Sequence, residues 1–139
     1  LAGLAAVQLR GGDVHAAIAT ATRAVALVAA TDADPAVAPW VVRAEAHLAL
    51  GNLAQAVADA ERVIADVPRA DSDRVRRNDA QRARALLAEA LRRRNERTAE
   101  ADALRAEARA YFLRSPGYFA YELAQPWGGD NSASTPERE

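Results

Sequence analysis

The sequence predicts an all-α fold, built of antiparallel helix hairpins stacked as a solenoid. Three observations carry that prediction. Apolar and small residues recur at spacings of three and four through most of the 139 residues. Ala, the strongest helix former, fills 37 positions, and β-branched runs are scarce. Gly, Pro and Asn-Asp breakers fall at separated places that divide the chain into helices joined in pairs by short turns.

The first helix, residues 1–10, ends at the turn Gly11-Gly12-Asp13. The second, 14–30, runs into a segment of Asp and Thr turn formers with Pro35 and Pro39. Pro39 can open the third helix, 39–50, because a first-turn position makes no use of its missing N–H. Gly51-Asn52 turns the chain into the fourth helix, 53–67. The loop 68–73 offers Asp71 and Ser72 as caps for the fifth, 74–93. A polar break at 94–97 precedes the sixth, 98–113, and Ser115 is placed to cap a short seventh over 116–124. The organisation expected is a helical domain over 1–113, an aromatic capping segment over 114–127 and a disordered tail over 128–139.

The two Gly turns lie 39 residues apart, and the third turn follows about 43 residues later. One hairpin cannot bury both its apolar faces, so stacked hairpins cover each other. The middle pair carries a particular pattern. Trp40 opens it, Ala44 offers a small packing site, and Gly51-Asn52-Leu53 makes the turn. Ala56 follows 16 residues after the Trp, Val63 takes the next small site, and Pro68 closes the unit 28 residues after the Trp. This spacing resembles the tetratricopeptide repeat, a helix hairpin of about 34 residues. Arg43, His47 and Ala60 depart from the Leu, Tyr and Phe usual in that family. The first pair aligns through Leu1, Leu4-Ala5, Gly12-Asp13, Ala17 and Ala24, and the third through Leu87-Ala88, Leu91, Ala101 and Ala108. The resemblance spans residues 1–112 and implies about three repeats.

Composition sets limits. There is no Cys, which excludes disulfides, thiolate metal sites and cysteine nucleophiles. No apolar run approaches the ~20 residues that span a bilayer. Leu, Ile, Val and Phe total only 28, so the many Ala are expected to form close helix crossings. All 18 basic residues are Arg, a usage associated with GC-rich bacterial genomes. The chain begins at Leu1 with no basic leader, and the expectation is a cytoplasmic piece of a larger bacterial regulatory or assembly protein. The net charge of −1 divides into −3 over residues 1–68, +5 over 69–97 and −3 over 98–139. Aromatics do not interleave with the central Arg block, which argues against nucleic acid. That block reads either as a solvated face paired with acids or as a patch for an acidic partner.

Catalysis has little support. His15 and His47 stand in different hairpins without metal-ligand spacing, there is no phosphate loop, and Ser72, Ser115, Ser132 and Ser134 lie in loops or the tail. No cofactor is expected. The resemblance instead implies a concave groove, lined by the first helix of each pair, that holds a peptide or helix. In this chain the groove would be lined by Leu9, Arg10, Val41, Glu45, Leu48, Ala49, Arg82, Ala85, Glu89, Arg92 and Arg93. The carboxylate clamp of chaperone-binding members needs Lys and Asn. This chain has no Lys, and Ala2 and Ala6 occupy the matching first-repeat sites. The expected partner is a protein or peptide of acidic and hydrophobic character. Six of the seven aromatics lie in the last 29 residues, and Tyr118, Phe119, Tyr121 and Trp127 are candidates for capping, docking or filling the chain's own groove. The alternatives are a homodimerisation module and the sensor domain of a transcriptional regulator.

Overall fold

A computed structural model describes residues 1–30 and 36–128. It contains α1 (Ala2–Arg10), α2 (Val14–Ala29), α3 (Ala38–Ala49), α4 (Leu53–Asp66), α5 (Arg74–Arg94), α6 (Thr98–Leu113) and α7 (Ala120–Ala124). A 3-10 turn at Pro126–Gly128 closes the described chain. No strand occurs among the described residues. None of their helices is long and apolar enough to cross a membrane.

Local chemistry explains the boundaries. Gly12 and Gly51 adopt φ of 91° and 79°, a left-handed turn conformation that side chains with a Cβ resist. The third hairpin has no Gly and uses Asn95 and Arg97 at φ of 57° and 47°. Asn tolerates this region, whereas Arg there is strained. Asp13 accepts the Ala16 N–H at 3.3 Å and so caps α2. The cap of α5 is Asp73, not Asp71 or Ser72, since its carboxylate accepts from the Val75 and Arg76 N–H groups. Asp71 instead receives the Asp73 N–H and the Arg76 guanidinium.

Two expectations change at the C-terminal end. The seventh helix begins at Ala120 rather than 116 and lacks a side-chain cap. Ser115 contributes its backbone carbonyl to the Phe119 N–H. Gly128, expected in the tail, is buried in the 3-10 turn, while 129–139 lie outside the described residues.

Each helix from α1 to α6 packs on its successor, and α3 also touches both α1 and α5. Ala makes these approaches close: Ala5, Ala17 and Ala44 are fully buried, and Ala56 nearly so. The core lies along α5. Every residue from Asn78 to Leu91 except Arg82 is buried, so this helix is surrounded rather than amphipathic. One cluster joins Leu86, Leu87 and Leu91 to Trp40, Leu48, Val63, Phe112, Phe119 and Trp127.

Candidate binding surface

The first helices of the three pairs lie side by side, and the C-terminal segment packs on α5 and α6 while reaching α3 and α1 through Tyr121. A cavity of about 230 Å³ is bounded by Leu9 and Arg10 of α1, Val41 and Glu45 of α3, Asp79 and Arg82 of α5, and Tyr121, Glu122 and Trp127 of the segment. A second, of about 250 Å³, shares Leu9, Glu45, Tyr121 and Trp127 with the first and is further lined by Val14, Leu48, Ala49, Arg93, Gln125 and Pro126.

Three anchors hold the segment. The Tyr121 hydroxyl donates to Glu45, and the Arg10 guanidinium lies 4.1 Å from the Tyr121 ring centroid. Arg82 donates to both Glu122 and Asp79, which neutralises its charge between two acids. Trp127 is 6 % exposed and meets the Tyr121 ring edge-on. Gly128 closes the segment on itself, because an added Cβ would run into the Glu122 carbonyl oxygen at the end of α7. Only a residue without a Cβ permits that backbone approach. Phe119 anchors the start of the segment against Phe112, with ring centroids 5.0 Å apart.

Burial sets the electrostatics here. Desolvation pushes the Glu45 and Asp79 carboxyls above their ordinary range, and the cations around them only partly offset it. Burial raises the Tyr121 hydroxyl as well, and its bond to Glu45 adds to the shift. The phenol is therefore a proton donor throughout the physiological range.

The predicted lining residues differ in where they stand, and of the three Arg on α5 among them Arg82 and Arg93 border the cavities. Leu9, Arg10, Glu45 and Ala49 are partly or fully open and border the cavities. Val41 and Leu48 border them from buried positions. Ala85 and Glu89, each 1 % exposed, are interior. Glu89 receives Arg92, Arg93 and Arg105. Burial favours its neutral form, but the hydrogen bonds from Arg92 and Arg93 outweigh that and hold its carboxyl below the ordinary value. Arg92 and Arg93 are thus paired within the chain, and Arg93 also reaches the Leu48 carbonyl. The central Arg block is consequently neither a uniform solvated face nor an open patch. Arg84 is 2 % exposed, with Glu107 3.7 Å away.

Of the aromatic candidates, Phe119 and Trp127 are buried, Tyr121 is half-buried, and Tyr118 is 60 % exposed. His15 is exposed, and His47 exchanges a hydrogen bond with Asn52 at the second turn. Among the described residues no cluster of His, Asp and Glu is arranged to hold a metal. Sequence reasoning missed Glu122, Asp79 and Gly128. The Asp79–Arg82 spacing of three was a readable helix pair, but Glu122 lies 40 residues from Arg82 and carried no local signal. Arg43, where the repeat family has an apolar residue, makes a two-pronged bond to Asp59 that ties α3 to α4.

No protein-family model matches the chain at a significant level of similarity, and no curated protein or solved structure does so either.

Proposed function

We propose that this chain is a non-catalytic, tetratricopeptide-like interaction module. It binds an aromatic and acidic peptide across the face of α1, α3 and α5. The observation that carries the reading is the chain's own C-terminal segment, which meets this face with an acid on Arg82, a tyrosine under Arg10 and a tryptophan that lines both cavities. A surface that accepts this segment has the chemistry to accept a partner of the same kind. The repeat reading is supported by the packing of α3 on both α1 and α5, which aligns the first helices of successive pairs. A partner then competes with the segment, so its apparent affinity falls by the fraction of molecules in which the segment is lifted.

A labelled peptide of residues 118–128 tests this against the parent chain and the Gly128→Ala variant, in which the 3-10 turn can no longer close on Glu122 and the segment is expected to loosen. The variant should bind the peptide saturably and about tenfold more tightly than the parent, and adding Arg82→Glu should remove most of that gain. Equal binding by all three chains, or none by any, would refute the reading.

A second reading, self-association, has its own observation. The terminal pair α1–α2 and Leu1 before it carry four of the eight exposed large apolar side chains among the described residues: Leu1, Leu4, Val7 and Leu27. Homodimerisation would use that end rather than the aromatic segment, of which Tyr118 alone is largely exposed among the four candidate aromatics. Light scattering that gives a monomer over a wide concentration range excludes it.

A further inference from the structure

On another part of the molecule, where the start of α5 meets the end of α6, a small pocket of about 170 Å³ is lined by Arg74, Arg77, Asn78, Tyr111, Arg114 and Phe119, with Ser115 at its edge. Its three guanidinium groups come from two regions 37 residues apart and face a common space without a carboxylate among the lining residues. That is unusual for this chain. Among the described residues eleven Arg form ion pairs with Asp or Glu and six form none, and three of those six, Arg74, Arg77 and Arg114, line this one pocket. Arg77 donates one nitrogen to the Asp71 carbonyl at 2.6 Å, which fixes its position while leaving its charge uncompensated. Arg114 lies over the Tyr111 ring, 5.6 Å from the centroid. The Tyr111 hydroxyl donates to Asn78 Oδ1 at 2.7 Å. With its oxygen engaged, the buried Asn78 amide has its NH₂ donors left over. The acids adjacent along the chain are engaged elsewhere, Asp73 in capping the helix and Asp79 with Arg82.

Three like charges held together repel each other and destabilise the empty pocket. A tetrahedral oxyanion relieves that repulsion and satisfies planar guanidinium donors two at a time. We propose that this pocket binds a phosphate group, either as inorganic phosphate or as the terminal phosphate of a small monoester. The site shares no lining residue with the two cavities on the face of α1, α3 and α5, and Phe119, at the start of the C-terminal segment, is the one residue common to this pocket and that segment.

The test is an NMR titration of the full chain at constant ionic strength, with chloride exchanged for inorganic phosphate and, in a second arm, for glycerol phosphate. The side-chain Nε–H signals of Arg74, Arg77 and Arg114 and the Asn78 amide signals should shift together and saturate. The arm that saturates at lower concentration identifies the source of the phosphate. Arg74→Gln and Arg114→Gln, both at exposed positions, should each weaken binding about tenfold, the expected loss of one charge-assisted contact. Arg23→Gln, at an exposed position on α2, should change nothing. Shifts that stay linear with concentration, or that spread evenly over all arginines, mean weak screening by the anion and overturn the proposal. So does binding that both variants leave intact.

Discussion

The two ends of the molecule are built by different means. In α1 and α2 the fully buried residues are Ala5, Ala17, Thr20, Ala21 and Ala24, none larger than Thr. In α5, α6 and the C-terminal segment the interior holds Leu86, Leu87, Leu91, Phe112, Phe119 and Trp127, together with charges such as Arg84, Glu89 and Arg105. Small side chains let helices approach closely but remove little apolar area from water. Large ones contribute about 1.5–3 kcal/mol each when fully buried. The difference teaches that stability is concentrated toward the C-terminal half, and that the aromatic segment belongs to that core as well as to the binding face. The first pair, apolar outside and thin inside, is the part of the molecule most open to local unfolding or to a neighbour.

The sharpest way to break this comparison is to truncate one large residue at each end. Phe112→Ala should cost about 3–5 kcal/mol, because it opens a cavity beneath Phe119. Leu4→Ala, at a half-exposed site, should stay within about 0.5 kcal/mol. Urea denaturation of the two variants measures both, and similar losses would show that the stability is evenly spread.

The buried charge comes next. Glu89→Gln leaves Arg105, 8 % exposed, without its anionic partner and weakens the bonds from Arg92 and Arg93. We expect a loss of about 2–3 kcal/mol, since removing one member of a buried pair strands the other. A variant as stable as the parent would show that water reaches this network.

The smallest effect is a pH dependence. Hydrogen bonds from Arg69 chiefly and from Gln81, with the nearby charge of Arg84, hold the Glu107 carboxyl down to about 2 against an ordinary 4.5. The folded chain thus binds this proton less readily than the unfolded one. The stabilisation is complete above pH 4.5 and is lost as the pH falls toward 2. Arg69 is 64 % exposed, so screening limits the effect to under about 1 kcal/mol. Glu45 and Asp79 are shifted upward and act in the opposite direction over acid pH. The comparison is therefore between the parent and Glu107→Gln, whose stability curves should converge as the pH drops through this window. Parallel curves would remove Glu107 from the account.

Much of the fold was legible because local chemistry decides it. Gly12, Gly51 and Asp13 mark turns and caps through their own backbone preferences, so six helices were placed within a residue or two. The repeat spacing likewise identified Ala44 and Ala56 as close-packing sites. The burial of α5 was not legible. Its arginines look solvated when only neighbouring acids are considered, whereas the partners that matter are distant: Glu107 for Arg84, and Glu122 for Arg82. The Glu89 pairing with Arg92 and Arg93 was readable from the three- and four-residue spacing, and it makes those arginines structural before they are available to a ligand. The seat of the C-terminal segment depends on Gly128, a residue whose meaning appears only when the chain has folded back onto Glu122.

The central claim is that residues 119–128 are docked on the face of α1, α3 and α5. Native-state hydrogen exchange tests it most directly. The amides of Leu123, Gln125 and Gly128 donate to Phe119, Glu122 and Gln125 carbonyls only while the segment is folded. We predict that they exchange more slowly than the amides of α1, and that Gly128→Ala releases them while α5 stays protected. Exchange of these three amides at the unprotected rate in the parent chain would contradict the claim.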